Sequence, residues 1–422
     1  MAMGLVDTMM VGRVSSVDLA AVALGNLFFF AIAIFGLGVL LVIDPVVSQA
    51  LGSGDHEAAA RGVQRGVVLA VGVAAIGSLL LLSAETVFRV ARQPPEVIPV
   101  AVSYVLASIP GAAPFFVFVV FRQSLQAAGR VAPILATVLA ANLVNVGLNW
   151  VFIWGNLGMP ALGALGSAIA TSLARWYLAV SLLVSAWPVL KPLLLPLRWE
   201  AAQPGPLLRM LGIGLPIGAQ FQLEWGAFAV TGLLMGTLGT TTMGAHQIAL
   251  NLAAFTFMVP MGIGAAAAVT VGYAVGQGDP ERARRSAASA LLIGLVFMAG
   301  TAGAFLGFPD LLSRAFTDDR GVLAVAVLLL PIAGVFQVFD GLQAVAGGVL
   351  RGVGDTHAPM WANILGFWLF GLPLSLFLAF RLDMGPEGLW WGLAGGLAAV
   401  ASLLLIRVAL RMRRELRQLV ID

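Results

Sequence analysis

Four carboxylates interrupt otherwise apolar stretches of this 422-residue chain: Asp7, Asp44, Glu224 and Asp340. An ionised side chain in such surroundings is costly. Each one therefore marks either a binding group or a structural carboxyl kept neutral or hydrogen-bonded by its neighbours. As binding groups, carboxylates hold a cation, or take up a proton where burial disfavours their charge. Glu224 follows Gln220 by about one helical turn. Asp340 has Gln337 and Gln343 three residues to either side, which puts all three on one helical face. Asp44 precedes Pro45, where a backbone group freed by the proline could meet it. Asn142, Asn145 and Asn149 also share one face; their amide oxygens suit a hard cation or hydrogen bonds to a neighbouring helix. Thr171 can join either arrangement. Arg175, near the middle of an apolar stretch, reads as the counter-charge of a carboxylate or as a side chain that snorkels toward the surface.

Other chemistries find no support. The chain has no Cys, which removes disulfides, thiolate nucleophiles and thiolate metal sites. His56 and His357 fall in expected loops, and His246 stands apart from them with Gln247 and Asn251, so no metal site is expected. No phosphate-binding loop, zinc-protease motif or nucleophile elbow is present. The chain therefore reads as neither an enzyme nor an ATP-driven pump. The carboxylates point instead to an ion gradient, with Na⁺ or H⁺ as the coupling ion and no other cofactor.

The elements that carry these groups follow from composition. Hydrophobic residues make up 60% of the chain and charged residues 10%, where a soluble domain carries roughly 25% charged. Such a chain must be an all-α polytopic membrane protein, because lipid is the solvent that fits it and helices satisfy their own backbone there. Fifty glycines favour close helix packing. Eleven full spans are expected: Leu19–Gln49, Gly66–Ala84, Val97–Phe121, Pro133–Trp154, Gly163–Trp187, Pro206–Leu238, Thr242–Val275, Ser286–Phe308, Gly321–Leu350, Pro359–Phe380 and Gly388–Leu410. Residues 1–12 form an apolar stub that reads as the second half of a further helix.

Basic residues are unevenly shared between alternate loops. Sixteen, from Arg61 and Arg65 to the Arg407–Arg417 cluster, fall on one side, and six (Arg13, Arg89, Arg92, Arg314, Arg320 and Arg381) on the other. The richer side is expected to be cytoplasmic and to hold both termini. The basic tail then serves as a topology anchor and needs no nucleic-acid partner.

The chain also repeats itself. Gly36–Asp55 matches Pro260–Asp279 at a shift of 224 residues, with Gly38, Val47, Ala50, Gly52, Gly54 and Asp55 each meeting an identical partner. The same shift pairs Glu57 with Glu281, Ala59 with Ala283, Arg61 with Arg285, Val6 with Val230 and Gly12 with Gly236. Two six-helix lobes in parallel orientation are expected: residues 1–187, a cytoplasmic linker over 188–205, and residues 206–422 with the basic tail. Such repeats place binding sites near the midplane. Helix seven begins near Pro206, so its counterpart would begin near position −18, and about 19 residues are expected to precede Met1.

At this point several motifs resemble a known family. V-D-T-M-M-V-G at Val6–Gly12, A-L-G-S-G-D at Ala50–Asp55 and N-V-G-L-N at Asn145–Asn149 are similar to those of multidrug and toxin extrusion (MATE) transporters. So are G-L-P-I-G at Gly214–Gly218, A-H-Q-I at Ala245–Ile248 and L-R-G-V-G-D-T at Leu350–Thr356. Glu224 and Asp340 together resemble the NorM-like branch. The resemblance implies twelve helices in two lobes around a V-shaped cavity. It also implies export of organic cations, such as drugs and dyes, in exchange for Na⁺ or H⁺. It assigns Glu224 and Asp340 to a C-lobe cation site, and Asp7, Asn145, Asn149 and Thr171 to the equivalent N-lobe region. Phe336 stands one turn before Asp340, where some NorM-like proteins have tyrosine.

The leading expectation is therefore a multidrug antiporter of the inner membrane. Glu224, Asp340 and Asp7 would be its coupling groups; Gln220, Gln247, Gln337, Gln343 and Phe336 would be supporting or substrate contacts. Phe255, Phe257, Met258 and Met261 either line an apolar wall or simply pack. The expected partners are small organic cations and the bilayer, with no obligate protein partner. The alternative is a flippase for a lipid-linked oligosaccharide or peptidoglycan precursor. Its pyrophosphate would call for several basic residues at membrane depth, and Arg175 is the one that lies clearly within a span.

Overall fold

The structure, a computed structural model, describes residues 2–421; Met1, where the expected stub begins, and Asp422, the last residue of the expected second lobe, lie outside the described residues. The described residues are helical throughout, apart from turns and short connections. The principal helices are α1 (Ala2–Val11), α2 (Ser16–Gly52), α3 (His56–Leu81), α4 (Val97–Ala127), α5 (Ala132–Trp154) and α6 (Gly163–Ser185). After a connection come α7 (Pro204–Thr237), α8 (Thr240–Gly276), α9 (Pro280–Gly307), α10 (Arg320–Gly352), α11 (His357–Arg381) and α12 (Gly385–Arg413). The chain is an integral, all-α membrane protein.

Ten of these helices are long and apolar enough to cross a membrane, against eleven expected. The one that drops out is α7. It is a continuous helix of 34 residues, easily long enough at about 1.5 Å per residue. Gln220, Gln222 and Glu224 dilute its apolar character at the place where the site is built.

The repeat read from the sequence recurs in the element boundaries. Helices α2 and α8 are both 37 residues long, and α8 starts 224 positions after α2; α9 follows α3 at the same interval. The cause is local. Gly54 (φ 77°) and Gly278 (φ 68°) adopt the left-handed conformation open to glycine, and each is followed by an aspartate that caps the next helix. Asp55 Oδ1 accepts from the Ala58 amide at 2.8 Å, and Asp279 Oδ1 from the Arg282 amide at 2.9 Å.

The chain divides into two compact units. One holds the residues up to Ile43 with Asp55–Leu211, and the other holds Asp44–Gly54 with Gly212–Ile421. In the first, α5 packs along α6, and α2, α4 and α6 converge on Tyr104, whose hydroxyl donates to Asn26 Oδ1 at 3.0 Å. The expected linker is ordered against this unit. Gln64 Nε2 donates to the Pro196 carbonyl at 3.0 Å, and Gln64 Oε1 accepts from the Arg198 amide at 2.9 Å.

In the second unit α8 lies along α10, and α12 packs on both α10 and α11. Gly388, Gly392 and Gly396 recur every four residues on α12 and face Ala379, Ser375 and Gly371 of α11. Lipid tails are as apolar as leucine, so close van der Waals approach replaces the hydrophobic effect as the source of helix association. A side chain at Gly392 would run into Ser375, whereas one at Gly262 on α8 meets nothing within 4 Å. We expect Gly392→Val to destabilise the protein by about 1–3 kcal/mol and Gly262→Ala to leave it unchanged or slightly more stable. Thermal unfolding of the purified protein in detergent, followed by size-exclusion chromatography, checks both.

Candidate functional site

Each unit buries a carboxylate-bearing polar centre. In the first, α1 packs on α5 and α6 and carries Asp7 into the interior, where it is 1% exposed. Asn149 Nδ2 donates to Asp7 Oδ1 at 2.5 Å and to Asn145 Oδ1 at 3.3 Å. Asn145 Nδ2 donates to Thr171 Oγ1 at 3.2 Å, and the Thr171 hydroxyl donates to Asp7 Oδ2 at 2.7 Å. The four side chains close a ring in which Asp7 only accepts. The ring is complete without a proton on the carboxyl, as an anion requires. Asn149 Oδ1 has no hydrogen-bond partner, so one buried amide oxygen beside the carboxylate is free to meet a cation or a proton donor.

The ring divides the candidates that the sequence grouped together. Asn145 and Asn149 belong to it, while Asn142 turns back to the Val138 carbonyl of its own helix at 2.7 Å. Arg175, one turn beyond Thr171, neither snorkels nor makes an ion pair among the described residues. It is buried, and its guanidinium lies 4.0 Å from the Phe29 ring centroid and 5.4 Å from that of Phe115. Asp7 and Tyr104 are within its electrostatic reach. The charge therefore acts on the ring from a distance while two aromatic faces hold the cation in place.

In the second unit α7 and α10 bring Glu224 and Gln343 together. Gln343 Nε2 donates to Glu224 Oε2 at 2.9 Å. A cavity of about 30 Å³ opens beside them, lined by Gln220, Phe221, Glu224, Phe257, Met261, Gln343, Ala344, Gly347 and Arg351. That is room for one water-sized occupant. Asp340 is 5% exposed and within electrostatic reach of Glu224. Asp340 Oδ1 and Gln343 Oε1 both lack a hydrogen-bond partner. One carboxylate oxygen and one amide oxygen are thus left unpaired near a second carboxylate, a donor set that suits a hard cation.

The remaining candidates fall elsewhere. Gln337 Oε1 accepts from the Thr256 hydroxyl at 2.6 Å, which ties α10 to α8. Gln247 is exposed and donates to Asn251 at 3.3 Å, to neither carboxylate. Phe336 does not face the Glu224 cavity as a site contact. Its ring packs edge-on against Phe228 at 5.9 Å and Trp390 at 5.6 Å, and Trp390 in turn meets His246 at 5.7 Å. Phe336 is 1% exposed because this aromatic row is the core of the unit. Phe257 and Met261 line the cavity, whereas Phe255 is exposed. One residue lining the centre was missed: Arg351 was counted among the sixteen cytoplasmic loop charges. Helix α10 in fact runs on to Gly352, which puts Arg351 in the cavity wall and in electrostatic reach of Asp44.

A bundle of membrane helices that buries carboxylates among amides and hydroxyls is an architecture suited to carrying solutes across a membrane. The chain belongs to the MATE family of transporters and is not an enzyme. The MatE family profile matches residues 1–151 and 216–377. Multidrug resistance protein MdtK of Edwardsiella ictaluri (strain 93-146) is 34% identical over 414 residues, covering 96% of this chain and 91% of that protein. The probable multidrug resistance protein NorM of Mesorhizobium japonicum (strain LMG 29417 / CECT 9101 / MAFF 303099) is 37% identical over 418 residues, covering 96% and 89%. In fold, the chain matches the eukaryotic MATE transporter AtDTX14 with a TM-score of 0.87 at 23% identity, covering 97% of this chain and 91% of that one. It matches the Vibrio cholerae MATE transporter VcmN in its bent form with a TM-score of 0.87 at 21% identity, covering 98% and 93%.

The Asp7 ring makes a stability prediction. Thr171→Val removes one of the two donors to a buried carboxylate and is expected to cost about 1–3 kcal/mol. Asn142→Leu, outside the ring, is expected to cost less than Thr171→Val. Thermal denaturation of the two purified variants beside the parent protein measures the difference.

Proposed function

We propose that this transporter exports organic cations, drugs and dyes among them, in exchange for Na⁺ or H⁺. Glu224 and Asp340 form the coupling centre of one lobe, and Asp7 with Asn145, Asn149 and Thr171 forms that of the other. The observation that carries this reading is the small cavity at Glu224. Its volume of about 30 Å³ suits a single ion and is far too small for a drug-sized molecule. Glu224, which lines it, and Asp340, within electrostatic reach of Glu224, are therefore read as ion-coupling groups, with the larger cation bound elsewhere.

The names of the relatives support a multidrug substrate range. Residues 1–187 and 206–422 are read as the two lobes, with 188–205 between them. The arginine asymmetry supports placement in the inner membrane with both termini in the cytoplasm. A pyrophosphate-bearing lipid precursor is a poorer fit, since the guanidinium of Arg175 is already engaged by Phe29 and Phe115.

Proteoliposomes loaded with a fluorescent dye cation, under an imposed Na⁺ or proton gradient, test the proposal. One of the two gradients is expected to drive dye movement. Glu224→Gln and Asp340→Asn are each expected to abolish it while membrane insertion stays normal. Gradient-driven transport that survives both substitutions would remove these residues from the coupling role.

A further inference from the structure

The last helix, α12, ends at Arg413, and the chain beyond it turns back over the second unit. The Leu419 amide donates to Gln49 Oε1 at 2.7 Å and Gln418 Nε2 to Ser53 Oγ at 3.1 Å, while the Leu419 side chain covers Gly354. This return borders an open recess of about 400 Å³ whose charged lining is Arg407, Arg411, Arg414, Arg417 and Asp355. Four guanidinium groups there face one carboxylate.

Local partners only partly satisfy them. Arg407 Nε meets Asp355 Oδ2 at 2.7 Å, Arg411 Nη1 donates to the Glu415 carbonyl at 3.2 Å, and Arg417 Nη2 meets the Glu415 carboxylate at 3.1 Å. The Arg414 side chain makes no hydrogen bond or ion pair among the described residues. A topology anchor needs positive charge on one side of the membrane, but it does not need that charge gathered around one recess. On the same stretch of α12, Leu403, Ile406 and Leu410 are 40%, 58% and 48% exposed and follow one another at helical spacing. An apolar stripe therefore runs along the helix to the mouth of a cationic cavity.

We propose that this cavity binds the phosphate group of an anionic phospholipid, with the acyl chains lying along Leu403, Ile406 and Leu410. Guanidinium forks match phosphate oxygens in pairs, and basic pockets where spans leave the bilayer are suited to such headgroups. Arg414, the cation without a partner, supplies the fork that the lipid engages.

Adjacent arginines allow a sharp test, because Arg414 lines the cavity and Arg413 does not. Full-length protein in detergent is titrated with short-chain phosphatidylglycerol, with phosphatidylcholine of the same chain length, and with inorganic phosphate, and binding is read by native mass spectrometry. Phosphatidylglycerol is expected to bind in preference to both of the others. Arg414→Gln should weaken that binding roughly tenfold, as loss of a hydrogen bond to a charged group does, and Arg413→Gln should change it less than twofold. Equal losses in the two variants would reduce the cavity to diffuse surface charge and overturn the proposal. Equal affinity for phosphatidylcholine or for inorganic phosphate would also overturn it, the latter by showing an anion site with no lipid selectivity.

Discussion

Hydrocarbon offers no hydrogen bonds, and most of this structure follows from that constraint. Every backbone amide must be satisfied within its own segment, so the described chain is helical almost throughout. Every polar side chain at membrane depth must find its partner on a neighbouring helix. The Asp7 ring is the fullest expression of this: four side chains from α1, α5 and α6 exchange four hydrogen bonds in a closed circuit. Removing one member leaves the others without water to fall back on.

The same constraint sets how the helices hold together. Without a hydrophobic force between them, association depends on close approach, and the glycine ladder of α12 against α11 supplies it. Tight packing elsewhere makes the small space at Glu224 significant. Its oxygens are held by α7 and α10, which also meet through the edge-on contact of Phe228 with Phe336. Phe336 therefore serves the site through packing, without touching the ion-sized cavity.

Charge is handled by three different devices. Asp7 receives hydrogen bonds from neutral groups. Arg175 is covered by two phenylalanine faces. Asp44 and Arg351 lie within electrostatic reach of one another at the end of α10. At the end of α12 four arginines gather around one carboxylate, and the Arg414 side chain finds no partner among the described residues.

Much of this was legible in the sequence because its physical causes are local. Apolar runs of membrane-spanning length define helices. The Gly–Asp pairs at 54–55 and 278–279 define the same turn and cap twice, so the duplication could be read from residues that recur 224 positions apart. Carboxylates in apolar surroundings advertise themselves, as do amides three and four residues apart. Partnership across helices is decided by rotation and crossing, which spacing along one helix does not encode. Hence Asn142, on the same face as Asn145 and Asn149, turned back to a carbonyl of its own helix. Arg175 met aromatic rings where a carboxylate was expected, and Arg351 moved from a loop into the wall of the Glu224 cavity. Residue order alone shows which groups must be buried at a cost. Which neighbour relieves each cost depends on the few ångströms separating helices far apart in the chain, and that distance is settled by packing.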